Sequence, residues 1–150
     1  QVSPATSLTL YSSVDAAPLT MCDVLIIDND DSGSRAMADD LVAAGYTVRT
    51  ANNVFEAIRS VQAFQPRVVF IEINLPGWLD VSRLAGKIAR LDPEISIVMM
   101  STDVAAIQKA QDEQSNNAVA IIEKPLPAGP IKRFVQHVCQ ERREEVSAGH

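Results

Sequence analysis

Short apolar runs alternate along the chain with segments whose apolar residues recur every three or four positions. Strands of a buried sheet read as short continuous apolar runs, whereas the wider spacing is typical of amphipathic helices. The runs predict strands at Cys22–Ile27, Thr47–Ala51, Val68–Ile71, Ile95–Met100 and Ala118–Ile122. Because a helical pattern follows each predicted strand, we expect a doubly wound α/β fold, in which crossover helices join the strands of a parallel sheet.

The helical segments carry signals for their ends and for the faces that they bury. The first predicted helix is 32–44, with Met37, Leu41 and Ala44 facing inward and Gly45 as its C-terminal cap. The second predicted helix is capped by Asn52 or Asn53 and carries Phe55, Ile58, Val61 and Phe64 on nearby faces. The others are 81–91, 104 to about 114, and a last helix with an apolar stripe of Ile131, Phe134, Val135, Val138 and Cys139.

Polar residues follow four of the predicted strands, at the point where each strand ends. They are Asp28, Asn29 and Asp30 after the first, Glu72 and Asn74 after the third, Ser101 after the fourth, and Lys124 with Pro125 after the fifth. Ligands of such sheets bind beyond the carboxyl ends of the strands. Carboxylates there suit Mg²⁺, and a hydroxyl and an ammonium suit phosphoryl oxygens. The sequence therefore predicts a site for a divalent cation and a phosphoryl group.

Composition limits the classes of protein that fit. The 150 residues, 47% of them hydrophobic, suit one domain, and the formal net charge of −6 disfavours direct binding of nucleic acid. No apolar stretch approaches the roughly 20 residues that span a bilayer, so no membrane contact is expected. The two cysteines, Cys22 and Cys139, are expected to be buried thiols of a reducing, cytoplasmic compartment. We expect a leader at 1–20, the domain at 21–145 and a tail at 146–150.

From about Cys22 to Arg143 the chain resembles the receiver domain of two-component response regulators. The resemblance implies a flavodoxin-like sheet of five strands with five helices. It also implies that Asp28 and Asn29 hold Mg²⁺ together with the backbone carbonyl of Asn74, and that Glu72 stands at the phosphoacceptor position. Ser101 matches the family's switch hydroxyl, whereas Lys124 and the following Pro125 match its lysine-proline pair. Histidine kinases and output domains or proteins are the partners that it implies.

Three departures from the family's pattern change the expected activity. Glu72 replaces the reactive aspartate, Asn29 replaces the second acid of the metal-binding pair, and Ile121 stands at the aromatic switch position. Asn29 contributes no charge, so Mg²⁺ binding should be weakened unless Asp30 turns inward; the other expectation for Asp30 is to cap the first helix. We therefore expect a degenerate receiver that is not an enzyme and that acts through protein–protein contacts.

Two alternatives stay open at this point. The chain could be a working phosphorylation switch that uses Glu72 or a neighbouring acid. It could also be a phosphohydrolase of the haloacid dehalogenase type, with Asp28 as nucleophile and Asp30 as general acid, although no acidic pair follows the fourth strand. For a receiver, the resemblance places output contacts and a homodimer interface on the last two helices and the fifth strand. His137, beside the apolar stripe, is expected at the surface.

Overall fold

The computed structural model describes residues 22–113 and 117–148, with side chains described as far as residue 141. These residues form five strands and five helices in strict alternation. In chain order they are β1 (Val24–Ile27), α1 (Asp31–Ala43), β2 (Val48–Ala51), α2 (Val54–Phe64), β3 (Val68–Glu72), α3 (Val81–Leu91), β4 (Ser96–Ser101), α4 (Val104–Asp112), β5 (Ala120–Glu123) and α5 (Ala128–Ala148). The predicted flavodoxin-like α/β fold is confirmed.

The strands form one parallel sheet in the order β2-β1-β3-β4-β5. Every residue of β1 and β3 is buried, which explains why these two segments read as unbroken apolar runs. The edge strands β2 and β5 are partly exposed and accordingly carry polar residues. The chain reverses its winding direction between β1 and β3, so the central crevice of the sheet lies where these two strands end.

Two apolar clusters cover the two faces of the sheet. One holds the inward faces of α2 and α3 together with Ala110 of α4, and the other holds those of α1 and α5. In α5 the predicted stripe is confirmed, because Ile131, Val135 and Cys139 are buried and the two other members pack partly buried against the same cluster.

Four helices begin at a polar residue whose side chain accepts a hydrogen bond from a backbone N–H group of the first turn. The four caps are Asp30, Asn53, Asp80 and Asp103. Such caps satisfy donors that have no partner inside the helix. At the start of α3, the carboxylate of Asp80 accepts from the N–H of Arg83 at 2.9 Å.

Two predictions of inward-facing residues are wrong. Ala44 is exposed, because α1 already ends at Ala43, and the buried residues of this helix are Ser34 and Leu41. Phe55 is 62% exposed, because α2 turns Val54, Ala57 and Val61 towards the sheet instead. Each helix also buries a small residue, Ser34 in α1 and Ala57 in α2, which the spacing of large apolar residues does not reveal. The predicted bounds of the strands differ from those found by one or two residues.

The two cysteines are free thiols in the interior. Cys22 and Cys139 are each buried, as expected. Burial, followed by the negative charge of Asp23, raises the pKa of the Cys22 thiol to about 11.

Several expectations concern the ends of the chain. The leader predicted at 1–20 lies outside the described residues, as do residues 149–150 of the predicted tail and the expected end of the fourth helix near residue 114. Helix α5 continues to Ala148, so 146–148 are helical. His137 is exposed as expected, 3.4 Å from Glu141 on the next turn of α5.

Candidate functional site

The ends of β1, β3, β4 and β5 bring the predicted site residues to one edge of the sheet. Glu72 is the last residue of β3 and pairs with Met100, while Ser101 is the last residue of β4 and pairs with Glu123. Asp28 directly follows β1, and Lys124 directly follows β5. The parallel register thus aligns side chains that are up to 96 residues apart in sequence.

Asp28, Glu72 and Lys124 form a buried ion cluster. The Lys124 ammonium donates to Asp28 Oδ2 at 2.8 Å and to Glu72 Oε1 at 2.7 Å. Asp28 and Glu72 are 2% and 6% exposed. Charges this deeply buried are stable only with close partners, so the lysine holds the two carboxylates together. The three charges of the cluster, two negative and one positive, sum to −1.

The second oxygen of each carboxylate accepts a backbone hydrogen bond. The N–H of Asp30 donates to Asp28 Oδ1 at 3.0 Å, and the N–H of Asn74 donates to Glu72 Oε2 at 2.8 Å. Both oxygens of Glu72 are therefore engaged, one by an ammonium and one by the loop that follows its own strand. This arrangement fixes the orientation of the carboxylate.

The Lys124 side chain responds to two opposing effects. Burial lowers its pKa, but hydrogen bonds to Asp28 and Glu72, together with the attraction of their negative charges, outweigh burial and raise the pKa of Lys124 above its ordinary value. The lysine is therefore positively charged at neutral pH. The peptide bond between Lys124 and Pro125 is cis.

Ser101 belongs to a second hydrogen-bonded group, which joins two loops. Its hydroxyl, 1% exposed, accepts from the N–H of Asp103 at 3.1 Å. The Asp103 carboxylate caps α4 and accepts from Asn74 Nδ2 at 3.0 Å. This hydrogen bond from Asn74, and next the one from the N–H of Ala106, lower the pKa of Asp103. We call Asn74, Ser101 and Asp103 the loop bridge, because they tie the loop after β3 to the loop after β4.

The residues present fit a Mg²⁺ ion poorly. Of the predicted ligands, Asp28 is engaged on both oxygens, and Asn29 is exposed. The carboxylate of Asp30 does not turn inward but accepts from the N–H of Gly33 and the hydroxyl of Ser32 at the start of α1; these two bonds lower its pKa. Within 22–113 and 117–141, no three acidic, histidine or cysteine side chains are grouped as a metal site requires.

One residue that matters here was not predicted. It is Asp103, which caps α4; the sequence Ser-Thr-Asp before Val104 offers three capping residues in a row and does not single out the third. Ile121, expected as a core strand residue, packs partly buried against the cluster under α2 and α3.

Between α1 and the start of α5, a cavity of about 380 Å³ adjoins the ion cluster, with Met37, Leu41 and Leu126 in its wall.

Comparison with known proteins places this chain in a family. The family model of the response regulator receiver domain matches residues 24–136, and the chain belongs to that family. Among curated relatives, it is 33% identical to the nitrogen assimilation regulatory protein NtrX of Azorhizobium caulinodans and 30% identical to the C4-dicarboxylate transport transcriptional regulatory protein DctD of Rhizobium meliloti. These matches cover 85% and 80% of this chain but only 31% and 26% of the relatives.

Solved structures agree with this assignment. The receiver domain of NtrX from Brucella abortus superposes with a TM-score of 0.67 at 27% identity, covering 79% of this chain and 98% of that one. A CheY-like receiver domain protein from Methanospirillum hungatei superposes with a TM-score of 0.72, covering 83% of this chain and 98% of that one; its 21% identity supports the fold alone. Within the described ranges, no helix has the length and apolar character needed to cross a membrane.

Proposed function

We propose that this receiver domain signals through protein–protein contacts without accepting a phosphoryl group at Glu72. The observation that carries the proposal is the state of the Glu72 carboxylate, which is 6% exposed and held on both oxygens, by Lys124 at 2.7 Å and by the Asn74 N–H at 2.8 Å. A nucleophilic carboxylate needs one oxygen free to attack. Here attack would require breaking a buried ion pair or a loop hydrogen bond.

Side-chain length argues in the same direction. Glutamate reaches one methylene further than aspartate, and a misplacement of about 1 Å costs on the order of a hundredfold in the rate of an in-line displacement. The longer side chain already contacts the lysine that would hold a phosphoryl oxygen. Glu72 therefore imitates a phosphorylated side chain in part, since it offers one charge and two oxygens in place of a phosphoryl group's greater charge and three oxygens.

Weak Mg²⁺ binding is part of the same proposal. Apart from Glu72 itself, Asp28 is the one buried carboxylate among the described side chains, and the neutral Asn29 is exposed. Mg²⁺ relies on carboxylates for its charge compensation and dehydrates reluctantly. The internal ammonium of Lys124 instead offsets one of the two negative charges.

The partners proposed are proteins. Receiver domains interact with histidine kinases and output domains, and here a cytoplasmic partner would bind the face made by α4, β5 and α5, which could also form a homodimer. Val104 at the start of α4 is 63% exposed and offers an apolar contact there. No direct contact with nucleic acid is proposed for a domain of net charge −6.

The test is incubation with Mg²⁺ and acetyl phosphate, followed by intact mass measurement and peptide mapping. We expect no adduct on the native protein. The variant Glu72→Asp, combined with Asn29→Asp to restore the second acid, should gain one phosphoryl group at position 72. The matched control Glu113→Asp makes the same change of side chain on an exposed residue and should gain nothing.

Other outcomes separate the alternatives. A phosphoryl group on Glu72 of the native protein would establish the phosphorylation switch and overturn the proposal. An adduct on Asp28 would favour the phosphohydrolase alternative. That alternative gains no support from Asp30, its general acid, because this carboxylate caps α1 at the surface.

A further inference from the structure

An exposed groove runs along α3, with residues that take no part in the ion cluster. We call it the α3 groove; it has a volume of about 300 Å³, and its wall includes Trp78, Arg83, Gly86, Lys87 and Arg90. Trp78 belongs to the loop before α3, and the three cations follow one another along the helix. The Arg90 guanidinium lies close to Gly86, since a Cβ atom built there would be 3.6 Å from Arg90 Nη1, an ordinary contact distance.

Trp78 is the most exposed large apolar side chain in the described part of the chain, at 71%. It is also the single tryptophan of a protein in which aromatic residues make up 5%. Leaving an indole in water forgoes about 25 cal/mol for each Å² of apolar surface that could be buried. Tryptophan and arginine are the residue types most enriched among those that dominate protein–protein binding energy.

Only one of the three cations has a carboxylate partner within the described residues, and that ion pair is long and exposed. Arg83 lies 3.8 Å from Asp80, with both side chains largely exposed, and no ion pair joins Lys87 or Arg90 to an acid of residues 22–113 or 117–141. They are spaced four and three residues apart, so they share one face of the helix, where like charges repel and reduce helix stability. The groove thus concentrates positive charge in a chain of net charge −6.

We propose that the α3 groove is a docking site for an acidic peptide segment of a partner protein, with an apolar side chain of that segment packing on Trp78. Two properties of the groove select this occupant: carboxylates complement its three cations, and an apolar residue complements the indole. A nucleic acid fits less well, since three cations neutralise few phosphates and the remainder of the chain repels a polyanion. The inference does not depend on whether Glu72 is phosphorylated.

Trp78 supplies the readout, because its fluorescence is the only indole emission of the protein. The probe is a synthetic peptide of four Glu-Glu-Leu repeats, titrated at low salt into the full chain. We expect a saturable change in emission, weakened as salt is added. The variant Arg83→Gln/Lys87→Gln/Arg90→Gln should raise the dissociation constant about tenfold, which corresponds to three exposed ion pairs.

A charge-matched variant separates the groove from the net charge of the protein. Arg35→Gln/Lys109→Gln/Arg133→Gln removes three exposed cations elsewhere and should leave the affinity within about twofold. Equal weakening in both variants, binding of a Gln-Gln-Leu peptide as tight as that of the acidic one, or no saturable change at millimolar peptide would each overturn the proposal. Displacement of the acidic peptide by duplex DNA at equal charge concentration would overturn it in favour of a nucleic acid.

Discussion

The buried ion cluster and the α3 groove are each built around positive charge, yet they treat it in opposite ways. In the cluster, one lysine is held by two carboxylates at 2.7 and 2.8 Å. In the groove, the exposed Arg83 and Arg90 and the half-buried Lys87 share a helix face, and the one described ion pair, between Arg83 and Asp80, is 3.8 Å long. The cluster satisfies its charges within the fold. The groove leaves them available to another molecule.

The contrast follows from the different exposure of the two regions to solvent. Charges shielded from water need partners inside the protein, and losing one partner is costly. Exposed charges are solvated and cost little when they stand alone. We therefore expect substitutions in the cluster to change stability and substitutions in the groove to change binding.

The largest effect is expected for Lys124→Met. This change leaves Asp28 and Glu72 buried and facing each other without a cation, so it should lower the free energy of unfolding by about 3 kcal/mol. Urea denaturation at neutral pH measures it. Lys109→Met removes an exposed lysine as a matched control and should cost less than about 0.5 kcal/mol. Equal losses in the two variants would contradict the contrast between buried and exposed charge.

The pH dependence of stability should sharpen the contrast. The pKa of Lys124 is raised in the folded protein, so its stabilising contribution is fully present below the unfolded-state value, about 10.4, and is lost as pH rises through the folded-state pKa. The stability difference between native protein and Lys124→Met should therefore narrow in strongly alkaline solution. Urea midpoints measured for both proteins up to the onset of alkaline unfolding test this. A stability difference between the two proteins that widens as pH rises would contradict a raised pKa of Lys124 in the folded state.

A smaller effect is expected for the loop bridge. Asn74→Ala removes the hydrogen bond to Asp103 and leaves the cap of α4 in place. Amide hydrogen exchange in the first turn of α4 should then quicken by about threefold, as expected for one exposed hydrogen bond. Asn52→Ala changes an exposed asparagine before α2 and should leave α4 unaffected. Unchanged exchange in α4 would show that the bridge does not hold the two loops together.

The smallest effect, with the opposite sign, is expected in the groove. Lys87→Gln relieves repulsion from the cations three and four positions away, so it should stabilise the protein by a few tenths of a kcal/mol at low ionic strength. The gain should vanish when salt screens the charges. Thermal unfolding at low and high salt measures it. A loss of stability that persists in salt would indicate that Lys87 has a structural role.

Much of the site could be predicted because strand ends in a parallel sheet must meet. Asp28, Glu72, Ser101 and Lys124 each follow an apolar run, and the structure brings all four to one edge. What could not be predicted was which hydrogen bonds each would make. Ser101 bonds to the loop that leads into α4, and no hydrogen bond joins it to Glu72 within the described residues.

The misplaced helix faces have a different cause. Phe55 has the apolar character of a core residue but is exposed, because Val54 and Ala57 fill the narrow space against the sheet. Residue type predicts what can be buried, whereas packing decides which neighbour is buried. For the same reason Trp78 could not be placed at the surface from the sequence, although the spacing of Arg83, Lys87 and Arg90 on one helix was visible.

The buried cysteines make the native chain a ready substrate for site-directed labelling. Thiol reagents attack the thiolate, and the Cys22 thiol, with a pKa of about 11, stays protonated near neutral pH and is shielded from solvent. Cys139 is likewise enclosed. A cysteine introduced at an exposed position would therefore react with a maleimide dye or spin label well ahead of both. Distances between chosen points of the domain and a bound partner could be measured without removing either native cysteine.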